Sequence, residues 1–182
     1  MRIVASVARI YVGLLLLALG WIYLRNDLRW TLFIRLTQGR LWLDLLIGIG
    51  CATFVIGLSL FASRNFLWAQ LLEEEFTKVL VPLQLGGIAL VALLSGTVEE
   101  TLFRGAIQPA LGLIPTSLLF GLAHLVPRKA LLPWSVYAAF AGFLLGSAVE
   151  LTQDLFPAIL AHCVANFVLI LMLNRRRRVQ PA

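Results

Sequence analysis

The chain has 182 residues, of which 60% are hydrophobic and 13% charged, and its formal net charge is +6. Soluble domains are typically about 45–50% apolar and about 25% charged, so this composition excludes an ordinary soluble domain and indicates an integral membrane protein. The apolar runs are long rather than short and alternating, which favours spanning helices over a transmembrane barrel. Because the cations lie mainly between these runs, we expect contact with membrane lipid and no nucleic-acid partner.

The N-terminal half of the chain predicts two membrane spans. The first covers about Val7 to Leu24; it resembles a signal peptide, but no small-residue cleavage motif follows it, so we expect a retained helix. Residues 25–40 mix arginines with aromatic and aliphatic side chains, which indicates the membrane interface. The second span covers about Leu41 to Ala62.

Residues 63–79 predict an amphipathic helix on the membrane surface. Glu74 and Lys78 are four residues apart and are expected to pair, and the run Glu73–Glu75 is expected to form a solvated face. The side chains that we expect to face the membrane are Phe66, Leu67, Leu71 and Leu72.

The C-terminal half predicts further spans, which gives an all-α polytopic membrane protein with roughly six transmembrane helices. They cover about Leu80 to Leu111, Pro115 to Val126 (short for a full crossing), Trp134 to Leu151, and Phe156 to Leu173. No repeat or linker divides the chain, so we expect a single domain, residues 1–182. Its parts are N-terminal helices (1–79), a helical core (80–173) and a basic cytoplasmic tail (174–182).

The distribution of lysine and arginine predicts the orientation. With the N-terminus inside, 10 of the 15 cations lie on the inner side: Arg2, Arg9, Arg64, Lys78, Arg128, Lys129 and Arg175–Arg178. The positive-inside rule therefore predicts a bacterial-type plasma membrane protein with both termini in the cytoplasm.

Three charged residues stand inside the third span, in the stretch SGTVEETLFRG at residues 95–105. Each charge near a bilayer centre costs about 2.5–3.5 kcal/mol, so a set of three without a purpose is improbable. Glu100 and Arg104 are four residues apart and can pair on a helix. Glu99 is rotated by about 100° from Glu100 and needs a different partner.

Both histidines of the chain lie in apolar surroundings at a matching depth. At 1.5 Å rise per residue, Glu99 lies ~18 Å and His124 ~15 Å from the loop after the third span, and His162 lies ~10 Å into the last span. Phe120 shares a helix face with His124, and Asn166 shares one with His162. We therefore expect the acid, both imidazoles and the amide to converge.

This set of side chains is typical of amide hydrolysis. A carboxylate and an imidazole can activate water by general base catalysis, and a histidine with an asparagine amide can stabilise an oxyanion. A purely structural role remains open for some of these residues when they are considered separately. Glu100 and Arg104 can form a buried ion pair, and His124, His162 or Asn166 can form interhelical hydrogen bonds.

Three motifs in this order carry a resemblance to a known family: E-E-x-x-F-R at residues 99–104, F-x-x-x-H at 120–124 and H-x-x-x-N at 162–166. Between about Leu80 and Leu173 the chain resembles the CAAX proteases and bacteriocin-processing enzymes, also called the Abi family. This family includes the Ras-converting CAAX endopeptidases, which are glutamate-type intramembrane proteases.

The resemblance implies a role for each matching residue. Glu99 would be the base that activates water, His124 would help to hold that water, and His162 and Asn166 would form the oxyanion site. Supporting roles fall to Glu100, Arg104, Phe103 and Phe120. No cofactor is expected; zinc bound by Glu99, His124 and His162 is a minor alternative.

The sequence thus predicts an intramembrane endopeptidase that cleaves a membrane-associated peptide or protein substrate, prenylated CAAX-like ends among them. One alternative is a non-catalytic scaffold or bacteriocin-immunity protein that retains the polar pocket. Another is a small proton-coupled carrier, since intramembrane glutamate and histidine also serve proton relays.

Overall fold

The computed structural model describes residues 2–25, 41–80 and 83–179, and every element in these segments is a helix. Five helices are long and apolar enough to cross a membrane, and a shorter apolar helix lies beside them. The prediction of an all-α polytopic membrane protein is therefore confirmed. The predicted interfacial segment 25–40 lies outside the described residues, apart from Arg25.

The helices follow the apolar runs of the sequence closely. In chain order they are α1 (Arg2–Leu24), α2 (Leu41–Asn65), α3 (Leu67–Leu80), α4 (Leu85–Leu111), α5 (Leu113–Ala123), α6 (Leu132–Thr152) and α7 (Phe156–Val179). Within α4, residues Thr101–Ile107 form a π-helix, and a short 3₁₀ turn, Lys129–Leu131, precedes α6.

Helix α7 lies at the centre of the bundle and packs against α2, α4 and α6, while α5 packs along α6 and α1 along α4. Small residues allow the closest approaches. A Cβ atom on Gly96 would lie 2.8 Å from the backbone nitrogen of Cys163, and one on Gly121 would lie 2.6 Å from the carbonyl oxygen of Ser135. Backbones in these two contacts therefore approach at a distance that only glycine permits.

Helix α7 extends beyond the predicted end of the last span, as far as Val179. Asn174 is buried, and its side-chain nitrogen donates a hydrogen bond to the carbonyl oxygen of Leu83. The helix thus continues into the segment that we expected to be a separate basic tail, because Asn174 still packs against the bundle. The division of the chain into three parts stays a prediction.

One predicted ion pair of the surface helix α3 is wrong: Lys78 pairs with Glu75 rather than Glu74, at 2.9 Å. The glutamates lie at the surface as expected, and two of them also form exposed ion pairs with other elements: Glu75 with Arg128 at 3.0 Å and Glu73 with Arg176 at 2.8 Å. The hydrogen bond from Lys78, together with the charge of Arg128, holds the pKa of Glu75 below its usual range.

Helix α3 also turns one of its expected membrane-facing side chains inward. Leu72 is only 7% exposed, whereas Phe66 and Leu67 are exposed as predicted. Because the ion pairs draw α3 against the C-terminal end of α7 and the loop before α6, its inner face covers the bundle. We call this end of the bundle the basic end; its cations are Arg64, Lys78, Arg128, Lys129 and Arg176.

Candidate active site

A buried ion pair directly beside Glu99 joins Glu100, the last residue before the π-helical segment of α4, to Arg104 within that segment. The side chains of Glu100 and Arg104 are 0% and 1% exposed, and Arg104 Nη1 donates to Glu100 Oε1 at 3.1 Å. Arg104 Nη2 donates to the carbonyl oxygen of Gly142 at 2.9 Å, which ties α4 to α6. The sequence analysis did not foresee the π-helix, a feature that is frequent at functional sites.

Two aromatic rings enclose the arginine. The guanidinium carbon of Arg104 lies 4.5 Å from the ring centroid of Phe120 and 5.9 Å from that of Phe103, and the two rings meet edge to face at 4.9 Å. A cation over an aromatic face is stabilised further when it is desolvated. Phe103 and Phe120 therefore surround the ion pair.

His162 contacts both glutamates through different nitrogens. Its Nδ1 lies 2.7 Å from Glu100 Oε1, and its Nε2 lies 4.0 Å from Glu99 Oε2. A carboxylate only accepts hydrogen bonds, so the proton of this contact resides on Nδ1. Helix spacing predicted the pairing of Glu100 with Arg104 but not this interaction, because it carries no information about contacts between α4 and α7.

His124 is oriented by the backbone of its own helix. It caps α5 one residue after the last helical residue, and its Nδ1 lies 2.8 Å from the carbonyl oxygen of Phe120. A carbonyl also only accepts, so Nδ1 carries a proton here too. The remaining nitrogen, Nε2, lies 3.7 Å from Glu99 Oε2.

Glu99 receives one hydrogen bond that the sequence analysis did not predict. The hydroxyl of Tyr11, from α1, lies 2.6 Å from Glu99 Oε1. Within the described part of the chain, the buried atom Glu99 Oε2 has no hydrogen-bond partner. It faces the gap between the two histidine Nε2 atoms.

Asn166 lies one turn beyond His162 on α7, and both line the same cavity as Glu99 and His124. Its Nδ2 donates to Ser95 Oγ at 2.8 Å, and Ser95 Oγ in turn donates to the carbonyl oxygen of Ala92 at 3.2 Å. One of the two amide protons of Asn166 is thus used within the bundle, and the other remains for the cavity.

The cavity has a volume of about 400 Å³ and is lined mainly by apolar side chains. From the polar residues it runs between α2, α3, α6 and α7 to the basic end, where Glu73 and Arg176 stand at its edge. An apolar cavity with a few convergent polar groups is typical of a binding site.

The residues proposed as zinc ligands do not form a compact site. In segments 2–25, 41–80 and 83–179, no group of three or more His, Cys, Asp or Glu side chains is arranged to hold a metal ion. The nearest approach of Glu99 to each imidazole, 3.7 and 4.0 Å, is too long for a direct hydrogen bond.

Comparison with known proteins identifies the family of the segment that carries this site. No curated protein and no solved structure matches the chain. Residues 81–168 match the model of the Rce1-like family, described as type II CAAX prenyl endopeptidase Rce1-like. This match includes all three motifs and confirms the resemblance inferred from them: the segment 81–168 is similar to the Rce1-like type II CAAX prenyl endopeptidases.

Proposed function

We propose that the chain is a glutamic intramembrane endopeptidase in which Glu99 and His124 activate a water molecule. The observation that carries this proposal is an excess of hydrogen-bond acceptors. Glu99 Oε2 and the Nε2 atom of neutral His124 lie 3.7 Å apart at one gap, and neither of the two brings a proton to it. A water molecule supplies two donors to such a site and leaves its oxygen lone pairs free.

In the proposed reaction, the water oxygen attacks the carbonyl carbon of a bound peptide while one of its protons passes to the Glu99 carboxylate. His124 Nε2 accepts the hydrogen bond from the other proton and so fixes the direction of attack. When the tetrahedral intermediate collapses, the C–N bond breaks and the leaving amine takes the proton back from Glu99. The products are a carboxylic acid and an amine, and the enzyme returns to its initial state.

The developing oxyanion needs donors, and two are close. Asn166 has one amide proton that is not used by Ser95. His162 can donate through Nε2 only as an imidazolium, because Nδ1 already donates to Glu100. The carboxylate of Glu100 stabilises that charged form, as the aspartate of a serine protease triad stabilises its histidine. Glu100 would therefore act through His162 as well as through Arg104.

The shape of the cavity supports a membrane-associated substrate that enters from the basic end. By the positive-inside rule this end faces the cytoplasm, and it would receive the C-terminal part of a protein anchored in that leaflet. The apolar lining suits a lipidated or strongly hydrophobic peptide, and CAAX-like ends belong to this class.

The test is cleavage by the purified protein in proteoliposomes, with a quenched-fluorescence prenylated CAAX-like peptide and a hydrophobic unprenylated peptide as substrates. Glu99→Gln should abolish cleavage, whereas Glu74→Gln, an exposed glutamate on α3, should cleave like the wild type. Cleavage should persist in 1,10-phenanthroline. Binding without cleavage in both the wild type and Glu99→Gln would support a scaffold, flux driven by a pH gradient would support a carrier, and loss of activity in the chelator would support zinc.

A further inference from the structure

We propose that Tyr11, on the first helix, is a positioning residue that selects which oxygen of Glu99 acts as the base. This inference rests on the proposed function, since it assigns a role through Glu99. Tyr11 lies outside the segment 81–168 that matches the family, whereas its partner Glu99 lies within it, so the donor comes from this chain's own N-terminal helix.

The hydrogen bond itself is short and has a defined direction. Tyr11 Oη lies 2.6 Å from Glu99 Oε1, and an ionised carboxylate can only accept. Hydrogen bonds to a charged acceptor are shorter and about twice as strong as neutral ones. With Oε1 engaged, rotation of the carboxylate about its terminal bond is restricted, and Oε2 is the oxygen that remains turned toward His124 and His162.

The inner face of α1 holds Tyr11 at this level of the bundle. Its side chains recur every three or four residues, the spacing of one helix face: Val7, Tyr11, Leu14, Ala18 and Ile22. On one side of Tyr11, Val7 packs beside Ile88 and Ile170; on the other, Ala18 and Ile22 pack in a cluster with Leu102, Phe103 and Ala106. Apolar packing above and below thus leaves the tyrosine little freedom to move away from Glu99.

The hydroxyl group is the single polar group on this apolar face, and it meets the carboxylate that is proposed to react. A purely structural role for the tyrosine would be served by its ring alone. The distinction is experimental, because a positioning role affects kcat through the orientation of Glu99, whereas ring packing affects only the stability of the fold.

The test compares Tyr11→Phe with Tyr23→Phe, which removes a hydroxyl from a tyrosine that is 76% exposed on the same helix. We expect Tyr11→Phe to lower kcat/KM about 10- to 100-fold, mainly through kcat, which corresponds to the loss of a hydrogen bond to a charged group. Because the bond also holds the folded state together, the midpoint of thermal unfolding should fall by roughly a few degrees. Tyr23→Phe should change none of these quantities.

The outcomes separate this inference from the proposed function. If the wild type shows no cleavage that Glu99→Gln removes, the proposed function fails. If the wild type does cleave, and Tyr11→Phe keeps the wild-type kcat, the role of Tyr11 is overturned while the proposed function stands. A lower kcat/KM that comes from KM alone would overturn it too, since that result indicates weaker substrate binding and not a misplaced base.

Discussion

Replacing Arg104 with methionine should destabilise the protein far more than any surface charge substitution. Methionine fills much of the same volume but leaves Glu100, which is 0% exposed, without its guanidinium partner. Breaking a buried pair by removing one member costs about 3–5 kcal/mol. Loss of the bond to the Gly142 carbonyl and of the contact with the Phe120 ring adds to this penalty, while the second contact of Glu100, with His162, offsets part of it.

The matched control is Arg176→Met. Arg176 also pairs with a glutamate, at 2.8 Å, but its side chain is 48% exposed. Exposed ion pairs contribute about 0–1 kcal/mol, so this variant should be nearly as stable as the wild type. Both variants carry one arginine fewer than the wild type, so the difference between their free energies of unfolding measures the effect of burying the ion pair.

Unfolding in mixed micelles of mild detergent and SDS, followed by circular dichroism, measures the two free energies of unfolding. We expect Arg104→Met to lose about 3 kcal/mol or more relative to Arg176→Met. A difference below about 1 kcal/mol would show that Glu100 is neutral in the folded state, and the proposed support of His162 by a charged Glu100 would then be wrong.

Three further predictions concern packing, orientation and pH. Gly96→Ala should destabilise the bundle by about 1–3 kcal/mol, because the new methyl group collides with Cys163, whereas Gly86→Ala, whose Cβ meets nothing within 4 Å, should be neutral or stabilising in the same unfolding assay. Ser95→Ala should lower kcat about 3- to 10-fold with little change in KM, because the amide of Asn166 loses one hydrogen bond that orients it. The pKa of Glu75 is lower in the folded state than in the unfolded state, so Glu75 stabilises the fold at pH values above its unfolded-state pKa. This stabilisation is lost as the pH falls through its folded-state pKa. The free energy of unfolding of Glu75→Gln should therefore depend less on pH in this acidic range than that of the wild type.

The positions of the five helices long enough to cross a membrane were predictable because each is a long apolar run with polar ends. The common depth of Glu99, His124 and His162 was predictable as well, from the rise per residue alone. Contacts between helices distant in sequence were not. The bond from Tyr11 and the pairing of His162 with Glu100 depend on how α1 and α7 are rotated against α4, and hydrophobic periodicity is weak in helices that are apolar all round.

The ion pairs of α3 were missed for a related reason. A run of three glutamates beside a lysine predicts local pairing, and Glu73 and Glu75 instead meet Arg176 and Arg128 from remote segments. The π-helix at Thr101–Ile107 was not predicted from the sequence either.

The last prediction concerns what the acid at position 99 does to stability. Glutamine would still accept the bond from Tyr11 through its amide oxygen, and its amide nitrogen would bring a donor to the gap where Oε2 now faces two imidazoles without a partner. It would also remove a charge from the membrane interior. Glu99→Gln should therefore unfold at a higher temperature than the wild type while losing cleavage, the trade-off expected at an active site. A variant that unfolds at a lower temperature would indicate that the carboxylate belongs to the structural ion-pair network with Arg104, and that the hydrolytic role of Glu99 should be reconsidered.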